Sequence, residues 1–170
     1  MSKVIRRGVF ETNSSSSHSV SIRRGDIKNS YLTVNPDDSK IHVLFGEYGW
    51  GIDTLTSQSE RLSYLCTMLI ETEGRKVTSV DKIYETNGFK EINKAIADKC
   101  NCDGVCFDSQ IQMKKSYDGS YYYLDFDGYI DHQSCEDYSN IDDFLKDYNT
   151  DILNFVFNDG VTVIIDNDNH

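Results

Sequence analysis

The sequence predicts a single α+β domain with a mostly antiparallel sheet, including a β-meander, and three to four helices. Two features lead to this expectation. Apolar residues recur at helical spacing in several segments, whereas two Asp-Gly pairs separate alternating apolar positions between Val105 and Gln133. The chain has 170 residues, which is long enough to bury a substantial core. We expect one domain over residues 1–170, with a frayed polar tail at 166–170.

The most clearly marked helix is predicted from Ser57 to Glu73. Ser57 and Glu60 have the spacing of a capping box, and Gly74 is a typical residue at a helix end. Other helices are predicted at residues 87–99, after Asn140, and from Thr150 or Asp151, with a helical turn at 79–84. Strands are predicted at residues 3–10, 19–24, 40–45 and 161–165, and the last should be central because it is apolar throughout.

The meander is predicted from the Asp118-Gly119 and Asp127-Gly128 pairs, which are strong hairpin signals. A two-residue turn at the first pair places Met113 opposite Leu124 and Ile111 opposite Phe126, so the apolar residues share one face. The second turn can have two or three residues. In both forms Asp131 and His132 should point to opposite faces of the strand, which excludes an acid–base dyad between them.

A polar loop between the first two predicted strands is the best candidate for a ligand site. Residues 10–19 read FETNSSSSHS, with Arg6 and Arg7 before them and Arg23 and Arg24 after them. Guanidinium groups, hydroxyls and backbone N–H groups in a turn can hold a phosphate, and the arginines should lie close to the loop if its flanks pair. The alternative is a solvated connection whose Ser, Thr and Asn side chains cap their own backbone.

Three segments of the chain resemble a group of uncharacterised proteins of Firmicutes bacteria and their phages. The first is Arg6 to Ser19, RRGVFETNSSSSHS; the others are Phe45 to Trp50, FGEYGW, and Tyr129 to Ser134, YIDHQS. No activity is known for the group, so the resemblance implies a source and not a reaction. In the second segment, Trp50 and Glu47 can form a wall of a binding site, or Trp50 can simply anchor the loop in the core.

The charge of the chain is uneven. The formal net charge is −11, which divides into +1 for residues 1–100 and −12 for residues 101–170. This excludes a basic stripe of the kind that binds nucleic acid. An acidic half can attract a protein partner with a basic surface, or can simply keep the protein soluble.

Several further features bound the cellular setting and the chemistry. Neither a signal peptide nor a run of apolar residues long enough for a membrane span is present, and an odd number of cysteines, five, favours reduced thiols in the cytoplasm. Cys100, Cys102 and Cys106 do not have the spacing of a zinc motif. No metal site and no cofactor are therefore predicted.

Two functions remain open. The first is a cytoplasmic protein of phage or mobile-element type that binds a macromolecule through its acidic half, for example to inhibit a host system that handles nucleic acid. Its candidate contact residues are Tyr121, Tyr123, Asp125, Asp127, Asp142 and Asp143. The second is an enzyme or sensor for a phosphate-bearing small molecule. Its candidate residues are Arg6, Arg7, Glu11, Thr12, Asn13, Ser14, Ser15, Ser16, Ser17, His18, Glu47, Trp50 and His132.

Overall fold

The computed structural model describes residues 3–5, 16–49 and 51–167, and for 3–5, 16, 17 and 167 it describes the backbone. The strands are β1 Lys3–Ile5, β2 Ser16–Ile22, β3 Ile41–Val43, β4 Glu47–Tyr48, β5 Asp53–Leu55, β6 Val105–Phe107, β7 Ile111–Lys115, β8 Tyr122–Phe126, β9 Tyr129–Ile130 and β10 Val161–Asn167. The helices are α1 Gln58–Thr72, α2 Asn87–Cys100, α3 His132–Cys135, α4 Ile141–Asp147 and α5 Ile152–Phe157. Short 3-10 turns occupy Gly74–Lys76 and Val80–Glu85. The predicted α+β class is confirmed.

The largest sheet has the strand order β1-β2-β10-β5, and all its pairs are antiparallel. The strands that flank the polar loop do pair, because Lys3 lies opposite Ile22 and Ile5 lies opposite Val20. Residues 6–10 of the first predicted strand lie outside the described residues, and the second strand covers Ser16–Ile22 instead of 19–24. β10 is central, as its apolar sequence predicts. It continues to Asn167, two residues into the predicted tail, and 168–170 lie outside the described residues.

The first predicted hairpin is confirmed in its register: Met113 pairs with Leu124 and Ile111 pairs with Phe126. The prediction that a third strand continues the meander is wrong. Tyr129–Ile130 pairs in parallel with Glu47–Tyr48 instead of returning along β8. The cause lies at Gly128, whose N–H bonds back to the carbonyl of Phe126 at 3.0 Å, which turns the chain away from β8.

Helices α1, α2, α4 and α5 lie where the sequence predicts them, and caps fix their starts. Ser57 and Glu60 form the predicted capping box of α1, while Asn140 and Asp151 cap α4 and α5. α1 is buried on most of its surface and runs through one hydrophobic cluster that draws on both the sheets and the other helices. None of the helices in the described ranges combines the length and apolar character needed to span a bilayer.

Arg61 on α1 is a buried cation, with 2 % of its surface exposed. Its guanidinium donates to the carbonyl of Val156 from Nε at 3.2 Å and from Nη2 at 2.6 Å. Nη1 donates to the carbonyls of Val161, at 3.0 Å, and of Thr56. One side chain on α1 therefore donates to buried backbone carbonyls at the end of α5 and at the start of β10.

Candidate ligand site at His18 and Asp131

His18 is a buried histidine on β2, at the end of the strand nearest the polar loop. It shares a strand face with the core residue Val20, and only 7 % of it is exposed. Its Nδ1 lies 3.0 Å from the hydroxyl of Tyr64 on α1. Burial lowers the pKa of His18 to about 4, and the carboxylate of Asp131 offsets part of that effect. The ring is therefore neutral at neutral pH.

Asp131 is a buried carboxylate between β9 and α3. It occupies the N-cap position of α3, but its side chain makes no capping hydrogen bond. Oδ1 lies 3.4 Å from the hydroxyl of Tyr129 and 3.5 Å from Nδ1 of His132. The backbone N–H of Asp131 donates to the carbonyl of Tyr48 at 3.0 Å. β9 and β4 thus fix the position of Asp131, and Oδ2 of its carboxylate has no partner among the described residues.

Two buried polar atoms of this site have no hydrogen-bond partner among the described residues. They are Nε2 of His18 and Oδ2 of Asp131. Buried polar groups are nearly always satisfied, so each such atom points to a missing partner. α3 packs against β2, and Asp131 acts electrostatically on His18, so the two side chains lie in the same part of the fold.

Each of the two atoms is suited to a hydroxyl group. Asp131 Oδ2 only accepts hydrogen bonds, so its partner must be a donor. Nε2 of the neutral ring donates if Tyr64 donates to Nδ1, and it accepts if Nδ1 donates to Tyr64. A hydroxyl can donate to the carboxylate and can serve Nε2 in either tautomer.

The second and third segments singled out in the sequence meet beside this cluster. β4 belongs to one and β9 to the other, and Glu47 pairs with Tyr129. Gly49 is buried, and a Cβ added to it would lie 2.6 Å from the ring of Tyr129. Only a glycine lets the chain pass so close to Tyr129 just before Trp50.

The predicted ligand-site residues fall into two sets. Ser16, Ser17 and His18 were expected in the polar loop, but all three belong to β2. Glu47 is exposed on β4, and His132 is exposed at the start of α3. The residues Arg6, Arg7, Glu11, Thr12, Asn13, Ser14, Ser15 and Trp50 lie outside the described residues.

Two expectations about this region are wrong. Asp131 and His132 were expected on opposite faces of a strand, but β9 ends at Ile130 and the two side chains meet at the start of α3. Arg23 and Arg24 were expected beside the polar loop. In the antiparallel pair they follow Ile22, which lies opposite Lys3, so they leave the hairpin at the end away from His18.

Sequence reasoning missed Tyr64 and the role of Asp131. Tyr64 is fully buried, and its ring lies 5.1 Å from that of Tyr48 and 5.9 Å from that of His18. Its helical position indicates burial, but nothing in the sequence indicates a hydrogen bond to a residue 46 positions away. To recognise the role of Asp131 from the sequence, one would have had to predict the parallel pairing of β4 with β9. Strands of only two residues give no sequence pattern from which to predict it.

The predicted partner contacts Tyr121 and Tyr123 are both exposed on the β7–β8 hairpin, and we call these two residues the tyrosine face. The rings of Tyr121 and Tyr123 lie 6.3 Å apart, as expected for residues on one strand face. The side of the hairpin also borders a groove of about 600 Å³, lined in part by Arg75. An exposed aromatic cluster beside a groove is typical of a contact surface.

The acidic candidates are distributed over two elements, and Asp125, Asp142 and Asp143 have local partners. Asp125 on β8 pairs with Lys114 at 2.6 Å, and Asp127 follows the same strand. Asp142 and Asp143 lie in the first turn of α4, where Asp143 accepts from the N–H of Ser139 at 3.3 Å. Several of these carboxylates therefore form ion pairs or hydrogen bonds within the protein.

Comparison of the chain with protein-family models, with curated proteins and with solved structures finds no match. The functional argument therefore depends on the geometry of the site.

Proposed function

We propose that the protein binds a small phosphate ester with free hydroxyl groups, such as a nucleotide or a sugar phosphate, at His18 and Asp131. The observation that carries this proposal is the pair of buried polar atoms, Nε2 of His18 and Oδ2 of Asp131, without partners among the described residues. A ligand hydroxyl supplies what both atoms need.

The phosphate part of the proposal derives from the neighbouring polar segment. Ser16 and Ser17 adjoin His18 on β2, and Ile5, the residue before Arg6, pairs with Val20. Chain connectivity thus brings the start and the end of the segment that contains two arginines and four serines to the His18 end of the hairpin. Guanidinium and hydroxyl groups of this kind suit a phosphate.

Thermal unfolding with a defined set of probes tests the proposal. The probes are AMP, ribose 5-phosphate, glucose 6-phosphate and inorganic phosphate, with adenosine, ribose and glucose as their unphosphorylated counterparts. A ligand at 100 times its Kd stabilises the folded state by about 2.7 kcal/mol, which raises Tm. We expect the largest rise with a phosphate ester, and we expect Asp131→Asn and His18→Asn to abolish it.

Glu136→Gln is the matched control, because it removes one carboxylate from the exposed end of the same short helix. It should keep the ligand-induced rise in Tm. The fluorescence of Trp50, the single tryptophan, gives a second readout because it follows Gly49 in the chain. If every probe leaves both signals unchanged, the chain satisfies His18 and Asp131 by itself and the proposal fails.

A second function, binding of a protein partner with a basic surface, is favoured by the tyrosine face. Tyr121 is 61 % exposed and Tyr123 is 43 % exposed. Tyrosine side chains contribute much of the binding energy where they become buried in an interface. Asp125 and Asp127 on the same hairpin would meet the partner's basic groups. Inhibition of a host system that handles nucleic acid is one role consistent with such a partner.

Capture experiments with paired variants test this second function. The double variant Tyr121→Ser/Tyr123→Ser should no longer capture a host protein that the wild type captures. The control variant Tyr31→Ser should still capture it, because Tyr31 is 80 % exposed but lies outside the tyrosine face. Equal capture by both variants would count against the tyrosine face.

A further inference from the structure

A second polar cluster, away from His18, combines three types of metal ligand on the outer face of a small parallel sheet. β3 and β6 pair so that His42 lies opposite Cys106. The neighbours of both residues within the strands are buried, whereas His42 and Cys106 are half-buried. The imidazole and the thiol therefore lie side by side on the face that solvent reaches.

Asp38 adds a carboxylate to this pair. It lies in the turn closed by the N–H of Asn35 and the carbonyl of Lys40 at 2.7 Å, and the carbonyl of Ser39 accepts from the N–H of Asp103 at 2.7 Å. These bonds hold the turn against the start of β6. The ligand atoms of Asp38, His42 and Cys106 all lie within 4.8 Å of one another.

A second carboxylate fixes the orientation of the His42 ring. Nδ1 of His42 lies 2.6 Å from Oδ1 of Asp108, so Nδ1 carries a hydrogen and donates it. Nε2 of the neutral ring then has a lone pair, which fits the amide nitrogen of Asn35 at 3.1 Å. Metal-ligating histidines usually donate their other N–H to a carboxylate in this way.

The contact between His42 and Asp38 needs a positive charge between its two atoms. Nε2 of the neutral ring and Oδ2 of Asp38 are both acceptors, yet they lie 2.9 Å apart. A proton or a metal ion can fill this role. The Cys106 thiol beside them is what a soft or borderline metal ion uses and a proton does not.

We propose that Asp38, His42 and Cys106 bind a divalent transition-metal ion of the Zn²⁺ type, with Asp108 as the positioning residue for His42. Thiolate, imidazole and carboxylate together match Zn²⁺ and do not match Mg²⁺ or Ca²⁺, which prefer oxygen ligands alone. In a tetrahedral site with bonds of about 2.0 Å, nitrogen and oxygen ligands lie about 3.3 Å apart. Asp38 and His42 thus need to separate by only a few tenths of an ångström.

Three protein ligands leave a fourth position for water, as in zinc sites that are open to ligands. The linear sequence does not reveal the site because its ligands come from a turn and two separate strands. The cysteine spacing in the sequence also includes Cys100 and Cys102. The thiol of Cys100 lies near Ser30, and the thiol of Cys102 lies near Gly104. Cys106 instead faces His42.

Binding of Co²⁺ as a spectroscopic substitute for Zn²⁺ tests the site on the untagged, full-length protein at mildly alkaline pH. Thiolate coordination produces a charge-transfer band in the near ultraviolet, and a tetrahedral site gives intense visible absorption. We expect one metal ion per chain, with the charge-transfer band lost in Cys106→Ser. Asp108→Ala should weaken binding about 10–100-fold, because it leaves all three ligands but removes the acceptor that orients the His42 ring.

Cys102→Ser is the matched control, since it removes another half-buried thiol whose sulfur bonds to backbone carbonyls. It should bind the metal ion like the wild type, and so should His132→Asn. Equilibrium dialysis with Zn²⁺ gives the stoichiometry independently of the spectrum. The proposal is overturned if the wild type shows no charge-transfer band with excess Co²⁺, or if the band persists in Cys106→Ser. Neither outcome bears on the ligand proposed at His18.

Discussion

The buried histidine on β2 should make the stability of the protein sensitive to mild acid. The pKa of His18 is lowered from 6.5 to about 4 by burial. Below pH 6.5 the unfolded chain takes up a proton at this residue, whereas the folded protein does not do so until about pH 4. Stability is therefore lost as the pH falls from 6.5 to 4, and no further loss from this residue occurs below that range.

The size of the effect follows from the two pKa values. One pH unit corresponds to about 1.4 kcal/mol per proton, so the full difference corresponds to about 3 kcal/mol. Between pH 7 and pH 5 the expected loss is about 2 kcal/mol, because the unfolded chain is then mostly protonated at His18 and the folded protein is not. Carboxylates also titrate as the pH falls, so the contribution of His18 must be isolated by comparison with a variant.

The variant that isolates it is His18→Asn, whose amide can keep a hydrogen bond to the hydroxyl of Tyr64. Urea unfolding at intervals from pH 7 to pH 5 gives the free energy of unfolding of the wild type and the variant. We expect the difference between them to change by about 2 kcal/mol over this range, with the wild type losing more. His132→Asn should keep the wild-type profile, since the His132 side chain is 69 % exposed. Parallel profiles for the wild type and His18→Asn would refute the reasoning.

Three further predictions concern stability and are measured by urea unfolding at neutral pH. Arg61→Met should lower the free energy of unfolding by about 3 kcal/mol, since buried carbonyls lose their donor; a loss below about 1 kcal/mol would contradict this role. Gly104→Ala should cost about 2 kcal/mol, because φ is +97° and the new Cβ would lie 2.0 Å from Oδ1 of Asn93; an unchanged midpoint would be inconsistent with that geometry. Tyr121→Ser with Tyr123→Ser should change stability by less than about 0.5 kcal/mol, and a larger loss would show that the tyrosine face is part of the core.

The parts of the fold that the sequence predicts are those with local signals. α1 is readable because Ser57 and Glu60 mark its start. The β7–β8 register is readable because the Asp118-Gly119 turn aligns Met113 with Leu124. In each case propensity, turn residues and apolar spacing agree, which is the condition under which local reasoning succeeds.

The predictions that are wrong concern contacts between residues that are distant in sequence. β4 and β9 have two residues each, too few for any periodicity, yet their pairing brings Glu47 beside Tyr129 and places Asp131. The continuation of the meander was inferred from Asp127-Gly128, but the sharp turn at Gly128 sends the chain to another partner strand. A local turn signal gives the position of a turn and not the strand that the chain meets next.

The candidate sites show the same division. The polar segment before His18 is visible in the sequence because serines and arginines are concentrated there. The pairing of His18 with Tyr64 and its proximity to Asp131 are not visible, since α1 and β9 come from other parts of the chain. The cluster of His42, Cys106 and Asp38 depends likewise on the parallel pairing of β3 with β6, which sequence spacing does not reveal.

The most direct test of the ligand site is the nitrogen-15 spectrum of the His18 imidazole, recorded with and without AMP, ribose 5-phosphate or glucose 6-phosphate. A ligand hydroxyl that bonds to Nε2 must change the chemical shift of that nitrogen, while the Nδ1 bond to Tyr64 persists. We predict a shift at Nε2 of His18 with at least one of these probes, and its absence in Asp131→Asn. An Nε2 signal that stays unchanged with all three probes at millimolar concentration would contradict a ligand site at His18 and Asp131.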